Sequence, residues 1–236
     1  MRAIILAGGK GTRLHPFTTL IPKPLVPIGN EMSILEIIIQ QLARHGFDHI
    51  TITVNHLANL ISAFVGDGSK FGIKIDFSVE ESPLSTIGPI TLIDDLPEDF
   101  LVMNGDILCD LNYKEFYDHH VHMKRKMTVS TFKRKTMIDF GVIQYDGDHV
   151  IRSFTEKPVY EFDVSMGIYC INRSVIRNLK RNARYGFDDL MLDGLLSHQD
   201  YTARPFDGFW LDLGRPEDYD YCNENYVEIK GKLGIK

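Results

Sequence analysis

The sequence predicts an α/β fold, a three-layer α/β/α sandwich around a Rossmann-like mixed, mostly parallel sheet that carries a β-rich lobe. Three observations lead there. Ala3-Ile4-Ile5-Leu6 and Leu101-Val102-Met103 are short, wholly apolar runs, the mark of strands buried on both faces of a parallel sheet. Strand-like and helix-like segments alternate through the first third of the chain, which calls for right-handed crossovers onto parallel strands. After Lys126 the texture changes to a succession of strand-like runs.

In order, the apolar run Ala3–Leu6 opens the chain and passes at once into Gly8-Gly9-Lys10-Gly11. Ser33 stands as an N-cap with Glu36 three residues on, a capping box. Ile34, Leu35, Ile37, Ile38, Gln41 and Leu42 then follow helical spacing, ending at a C-cap glycine, Gly46. Ile50 to Val54 reads as a strand, Leu57 to Val65 as a helix, and the alternating Ile73 to Phe77 as a third strand. Leu101-Val102-Met103 ends on Asn104-Gly105-Asp106, and a helix is expected from Tyr113 to Met123. Thr128–Phe132, Gly141–Tyr145, Val150–Phe154 and Ser165–Ile171 read as strands, with Tyr145-Asp146-Gly147-Asp148 a hairpin turn. This β-rich half is expected to continue the same sheet. Asp188 to Leu196 reads as a helix, Tyr201 to Phe206 as a strand, and Pro216 to Glu228 as a last helix with Pro216 at N1. With no linker, repeat or low-complexity segment, residues 1–236 are expected to form one domain, divided near residue 110.

Composition narrows the function classes. A formal net charge of −6 argues against general nucleic-acid affinity. No apolar run reaches the roughly 18 residues of a membrane span, and no signal-peptide order is present. The three scattered cysteines, without a CxxC pair, point to reduced thiols and a cytoplasmic location.

The chemistry begins in the glycine-rich turn. Glycines let consecutive backbone N–H groups converge on an anion, Thr12 adds a hydroxyl, and Arg13 offers a fork suited to phosphate oxygens. Lys23, between Pro22 and Pro24, is a stiffened second cation. The spacing matches neither a Walker loop nor the G-x-G-x-x-G turn of dinucleotide binders, so an oxidoreductase is disfavoured. The string LAGGKGTRLHPFT followed by IPKPLVPIGN resembles the signature of the sugar-1-phosphate nucleotidylyltransferases. The resemblance covers nearly the whole chain and is nearest the mannose- and heptose-1-phosphate guanylyltransferases.

That resemblance implies transfer of a nucleotidyl group from an NTP to a sugar 1-phosphate. It assigns nucleotide phosphates to Ala7, Gly8, Gly9, Gly11, Thr12 and Arg13, with Arg13, Lys23 and Asp106 catalytic. Asp106, in Asn-Gly-Asp, and Asp212, in Trp210-Leu211-Asp212-Leu213-Gly214, are expected to hold Mg²⁺, with Mn²⁺ as a substitute. Taken alone, the first is also an ordinary turn and the second a helix cap. Glu156-Lys157-Pro158, with Gly141 and Gly167, is expected on the sugar phosphate, and the β-rich lobe becomes sugar-binding. Ser165 and Met166 depart from the family's Asn-Ala before Gly167.

Glu80-Glu81-Ser82-Pro83-Leu84-Ser85-Thr86-Ile87-Gly88-Pro89 resembles the form common among guanylyltransferases. An ionised carboxylate only accepts hydrogen bonds. Glu80 or Glu81 therefore suits guanine, which presents two adjacent donors, and penalises thymine; Gly88 belongs to the same nucleotide-binding stretch. GTP is the expected donor, with thymidylyl, cytidylyl or uridylyl transfer, or a catalytically silent nucleotide-sugar sensor, as alternatives. Expected partners are the NTP and sugar 1-phosphate, with no nucleic acid or membrane; a homo-oligomer stays open. No C-terminal β-helix domain is expected.

Overall fold

A computed structural model of the chain describes residues 1–9, 11, 13, 17–55 and 57–235. Among them the strands in chain order are β1 (Arg2–Leu6), β2 (Pro27–Ile28), β3 (Met32–Ser33), β4 (His49–Val54), β5 (Lys74–Val79), β6 (Asp99–Asn104) and β7 (Ile107–Cys109). They continue with β8 (Met127–Met137), β9 (Val142–Tyr145), β10 (Ile151–Thr155), β11 (Val159–Asn172), β12 (Tyr201–Phe206) and β13 (Trp210–Asp212). The helices are α1 (Ile34–Arg44), α2 (Ala58–Val65), α3 (Tyr113–Met123), α4 (Ser174–Arg177), α5 (Phe187–Leu196), α6 (Pro216–Glu224) and α7 (Tyr226–Lys232).

Seven strands form the central sheet in the order β12-β8-β11-β6-β1-β4-β5. Pairing is parallel from β6 through β1 and β4 to β5 and between β8 and β12; β11 alone runs antiparallel to its neighbours. Residues alternate between faces along a strand, and here each face meets its own core. Ala3, Ile5, Leu101 and Met103 face α1, whose Ile34, Leu35, Ile38 and Leu42 are buried with them. Ile4, Phe100 and Val102 face the opposite way, onto Ile176 of α4 and Leu190 of α5. Helices on both faces make the three layers the apolar runs predict.

Local signals also hold. Ser33 Oγ accepts from Glu36 N–H while Glu36 accepts from Ser33 N–H, a complete capping box. Gly46 (φ +82°) ends α1, with Phe47 N–H donating to Leu42 O and Gly46 N–H to Ala43 O, a Schellman closure. No helix of the described residues is long and apolar enough to cross a membrane. Cys109, Cys170 and Cys222 are free and buried.

Two expectations need correction. The single last helix is two, because Asn225 leaves the helical region (φ −107°, ψ 19°) and its side-chain amide donates to Tyr221 O at 2.9 Å. A local bond of this kind competes with the backbone ladder. The β-rich half does not all join the sheet either: β8, β11 and β12 do, whereas β9 and β10 form a separate antiparallel ribbon. Beyond Ser165, β11 pairs with β8 alone, over Val159–Val164, so this part of the lobe is a two-stranded extension.

Candidate active site

The site is built on the carboxyl ends of β6, β1, β4 and β5, where ligands gather in open α/β sheets. The ladders run one step past each strand: Gly105 N–H bonds Leu6 O (2.9 Å), Ala7 N–H bonds Thr53 O (2.9 Å) and Glu80 N–H bonds Val54 O (3.0 Å). Asp106, Ala7, Asn55 and Glu80 are thereby aligned along one rim. The glycine turn and Lys23 meet physically. Gly11 has φ +62°, and a Cβ there would lie 3.1 Å from Lys23 Cβ and 3.0 Å from Thr18 Cγ2. Thr18 Oγ1 donates to Gly11 O at 2.7 Å and fixes the turn.

Lys23, in a short 3-10 turn after Pro22, is buried and its ammonium pairs with Asp106 Oδ2. A cavity of about 190 Å³ lies over this pair, lined by Ala7, Gly9, Gly11, Arg13, Lys23 and Asp106. A second cavity, of about 420 Å³, begins at Gly8, Gly9 and Asp106 and runs past Asn55 and Glu80 to Ser85 and Thr86. A third, of about 300 Å³, shares Arg13 and Gly214 with the first and holds Asp212. Antiparallel pairing of β13 with β7 sets Asp212 opposite Ile107, with Leu213 N–H on Asp106 O at 3.0 Å. Two carboxylates from positions over a hundred residues apart thus become neighbours.

Electrostatics follows from that crowding. Burial raises the Asp212 carboxyl above its ordinary range, Asp106 raises it further, and Lys23 and Arg13 offset part of the effect. Burial likewise raises Glu80, against a bond from Leu84 N–H to Oε2 (2.8 Å). The other oxygen, Oε1, lies where a Cβ on Gly8 would come within 2.3 Å, so Gly8 makes room for this carboxylate. Among the described residues no three His, Cys, Asp or Glu side chains converge. Asp106 and Asp212 are the two carboxylates that come together here, and hard oxygens of this kind would fit Mg²⁺ completed by phosphate and water. Their mutual repulsion is what a cation would relieve.

Not every expected residue comes to this rim. Thr12 lies outside the described residues. Glu81 is exposed on a different cleft, beside Arg2, Asp76 and Asp94, because alternation along the chain turns it away from Glu80. Gly88 is a packing glycine: a Cβ would come 2.5 Å from Ala183 O and 2.8 Å from Leu84 Cβ. Gly167 (φ +73°) is not among the residues lining these cavities, and a Cβ there would meet Asn104 Nδ2 at 2.6 Å. Gly141, Glu156 and Lys157 cluster on or beside the β9–β10 ribbon; Lys157 pairs with Asp139 at 3.1 Å, and none of the three lines the cavities over Asp106. Residues missed by sequence reasoning are Asn55, Asn104, Arg134 and Arg215. The strand-end rule that singled out Asp106 applied equally to Asn55, which follows β4, and to Asn104.

A nucleotidyl transferase family model matches residues 2–228. The mannose-1-phosphate guanyltransferase of Debaryomyces hansenii is 35% identical over 93% of the chain, which spans 62% of that protein. Its counterpart in Neurospora crassa is 35% identical, covering 100% of the chain and 67% of its own length. The chain thus spans about two thirds or less of these relatives. Crystal structures of Yersinia pseudotuberculosis HddC align over 95% of the chain and 99% of HddC; the one complexed with GMP-PN has a TM-score of 0.71 at 26% identity.

Proposed function

Because this chain belongs to the nucleotidyl transferase family, among the sugar-1-phosphate nucleotidyltransferases, we propose that it transfers a guanylyl group from GTP to a sugar 1-phosphate, in the mannose 1-phosphate class. The observation that carries the reading is the Lys23–Asp106 pair facing Gly9, Gly11 and Arg13 in one cavity, with Asp212 alongside. In the step, a phosphate oxygen of the sugar 1-phosphate attacks the α-phosphorus. The α–β phosphoanhydride bond breaks, its electron pair leaves on the bridging oxygen, and the products are an NDP-sugar and pyrophosphate.

Positioning and charge supply most of what such a transfer needs. Lys23 offers a buried cation to the α-phosphoryl oxygens, and the turn at Gly9 and Gly11 offers backbone to the triphosphate. Arg13 meets oxygens further along. Asp106 and Asp212 would hold Mg²⁺, which supplies charge neutralisation and a template for the phosphate oxygens. The second cavity suits the base, with Glu80 Oε1 as the acceptor-only group and Asn55, Ser85 and Asn104 around it. The relatives' names and the GMP-PN complex of HddC support the choice of guanine.

The test is a matrix of four NTPs against several sugar 1-phosphates with Mg²⁺, scored by pyrophosphate release. GTP with mannose 1-phosphate is expected to lead. A preference for dTTP or UTP removes the guanylyl assignment, and absence of turnover with every pair removes the enzyme reading.

A further inference from the structure

We propose that the cavity beyond Asp212 is a second phosphate subsite, in which Arg134 and Arg215 join Arg13 to hold a phosphoryl group other than the α-phosphate. This rests on the nucleotidyl-transfer reading. Arg13 comes from the glycine turn, Arg134 from the outer part of β8, and Arg215 from the residue that opens α6; all three line one cavity of about 300 Å³. Their convergence from three distant segments is a property of the fold, not of a charged run in the sequence.

The floor is apolar and fixed. Phe132 and Trp210 pack at 5.2 Å between ring centroids, and Trp210 Nε1 donates to Met166 O at 3.2 Å. Arg134 is two residues beyond Phe132 on β8 and so shares its face. None of the three guanidinium groups forms an ion pair with a described residue. That is unusual company for two carboxylates, Asp212 and Asp218, on the same wall. Asp218 is already committed, accepting from Arg215 N–H at 3.0 Å. The cavity therefore presents three forked donors with no ion-pair partner among the described residues, next to the cavity in which Lys23 meets Asp106. A guanidinium fork matches two oxygens of one phosphate. The ligand that fits is a multiply charged phosphoryl group within reach of the α-phosphate. The reaction has two such groups, the departing pyrophosphate and the phosphate of the acceptor sugar.

The experiment titrates inorganic pyrophosphate and mannose 1-phosphate separately, with Mg²⁺, into the wild-type chain and into Arg134→Ala, Arg215→Ala and the double variant. Calorimetric affinity and the Michaelis constants in both reaction directions are read. Both arginines are exposed and form no ion pair with a described residue, so melting temperatures should match wild type and unfolding is not a rival explanation. Each single variant is expected to weaken one of the two ligands about tenfold and leave the other within about twofold, with Arg134→Lys recovering part of the loss. Loss for pyrophosphate assigns the subsite to the leaving group; loss for mannose 1-phosphate assigns it to the acceptor. The proposal falls if the double variant binds both as wild type does, or if wild type binds neither. If wild type binds them but transfers no nucleotide with any pair, the activity reading fails and the subsite stands.

Discussion

The strand-end rim around Asp106 and the β-rich lobe that carries the β9–β10 ribbon are built to different standards. Around the rim, Ile4, Ile5, Ile50, Ile52, Leu101, Val102 and Met103 are fully buried, and the side chains that meet over Asp106 hang from strand ends fixed by that core. In the lobe, Met137, Phe140, Tyr145, Ile151, Phe154, Val159 and Phe162 are each more than half exposed. An isolated two-stranded ribbon is marginally stable in water, and local opening follows sparse burial. The side chains proposed to meet the phosphates and the base are therefore held in advance by the sheet. Gly141, Glu156 and Lys157 sit on the part with the least packing to define their positions.

The largest effect that tests this contrast is chemical. Lys23→Ala and Asp106→Asn should each lower the rate of pyrophosphate release by about a hundredfold or more, the ~3 kcal/mol of a lost transition-state contact. EDTA should abolish activity and added Mg²⁺ restore it. Glu156→Gln, on the ribbon, should act mainly through the Michaelis constant for the sugar phosphate. Equal collapse of turnover in all three variants would erase the distinction between the regions.

How far the sequence could be read tracks the same division. Buried strands announce themselves as unbroken apolar runs, so β1 and β6 and the strand-end position of Asp106 were legible, and β4 was legible from the β-branched residues of Ile50–Val54. The capping box of α1 and the extent of α3 needed only local signals. Asp212 was legible as a motif, but its meeting with Asp106 depends on β13 pairing with β7, a contact no local pattern specifies. The lobe's strands were legible as strands. Their partners were not, because both faces of β9 and β10 are exposed and supply no alternation to fix which sheet they join. Arg134 looked like one member of Lys133-Arg134-Lys135; only the register of β8 turns it toward Trp210 while Lys135 pairs with Glu161 at 2.9 Å.

Gly167 stands where the two regions meet, in the irregular stretch between Ser165 and Tyr169 where the β8–β11 register shifts. Its φ is +73°, and an added Cβ would come within 2.6 Å of both Asn104 Nδ2 and Ile107 Cδ1. Gly167→Ala should cost about 2 kcal/mol from left-handed strain and overpacking. That lowers the melting temperature by roughly 4–8 °C and displaces Asn104 from the cavity beside Glu80. Gly147, at the ribbon's tip, has nothing within 4 Å of an added Cβ, and Gly147→Ala should stay within about 0.5 kcal/mol. A large loss at Gly147 would mean the ribbon is better packed than its exposure implies.

Glu80 tests the rim by specificity and by pH. Glu80→Gln should narrow the preference for GTP over dTTP or UTP, about tenfold or ~1.4 kcal/mol in wild type, because the amide restores a donor where the carboxylate only accepts. Its stability effect has a definite sign. Burial raises the Glu80 carboxyl above its ordinary value of 4.5 in the folded chain, so the native state holds this proton more tightly than the unfolded state does. Wild-type stability therefore falls as pH rises from about 4.5 through the raised value, and the loss stays constant above it. Glutamine does not titrate and can still accept from Leu84 N–H. The melting temperature of Glu80→Gln minus that of wild type should grow with pH across that window and then level off. A difference independent of pH would show that the carboxylate is not desolvated.

The smallest effect expected on the rim itself is at Ser85, and it asks whether the rim carries strain that the lobe does not need. Ser85 lines the cavity beside Glu80 and adopts φ +68°, a conformation that L-residues with a Cβ reach at a cost of about 1–2 kcal/mol. The resembled family places glycine at this point of its Pro-Leu-Gly-Thr motif. Glycine relieves the strain but gives up about 0.5–1 kcal/mol of chain entropy. Ser85→Gly should therefore stabilise the chain by roughly 0.5–1 kcal/mol, raising its melting temperature by about 1–4 °C. It also removes a hydroxyl from the cavity wall. If that hydroxyl contacts the base, the affinity for GTP falls while the melting temperature rises, and the strain is held for binding. If affinity is unchanged, Ser85 is a tolerated departure that only narrows the pocket. A lower melting temperature would mean that the Ser85 side chain contributes more than its left-handed backbone costs.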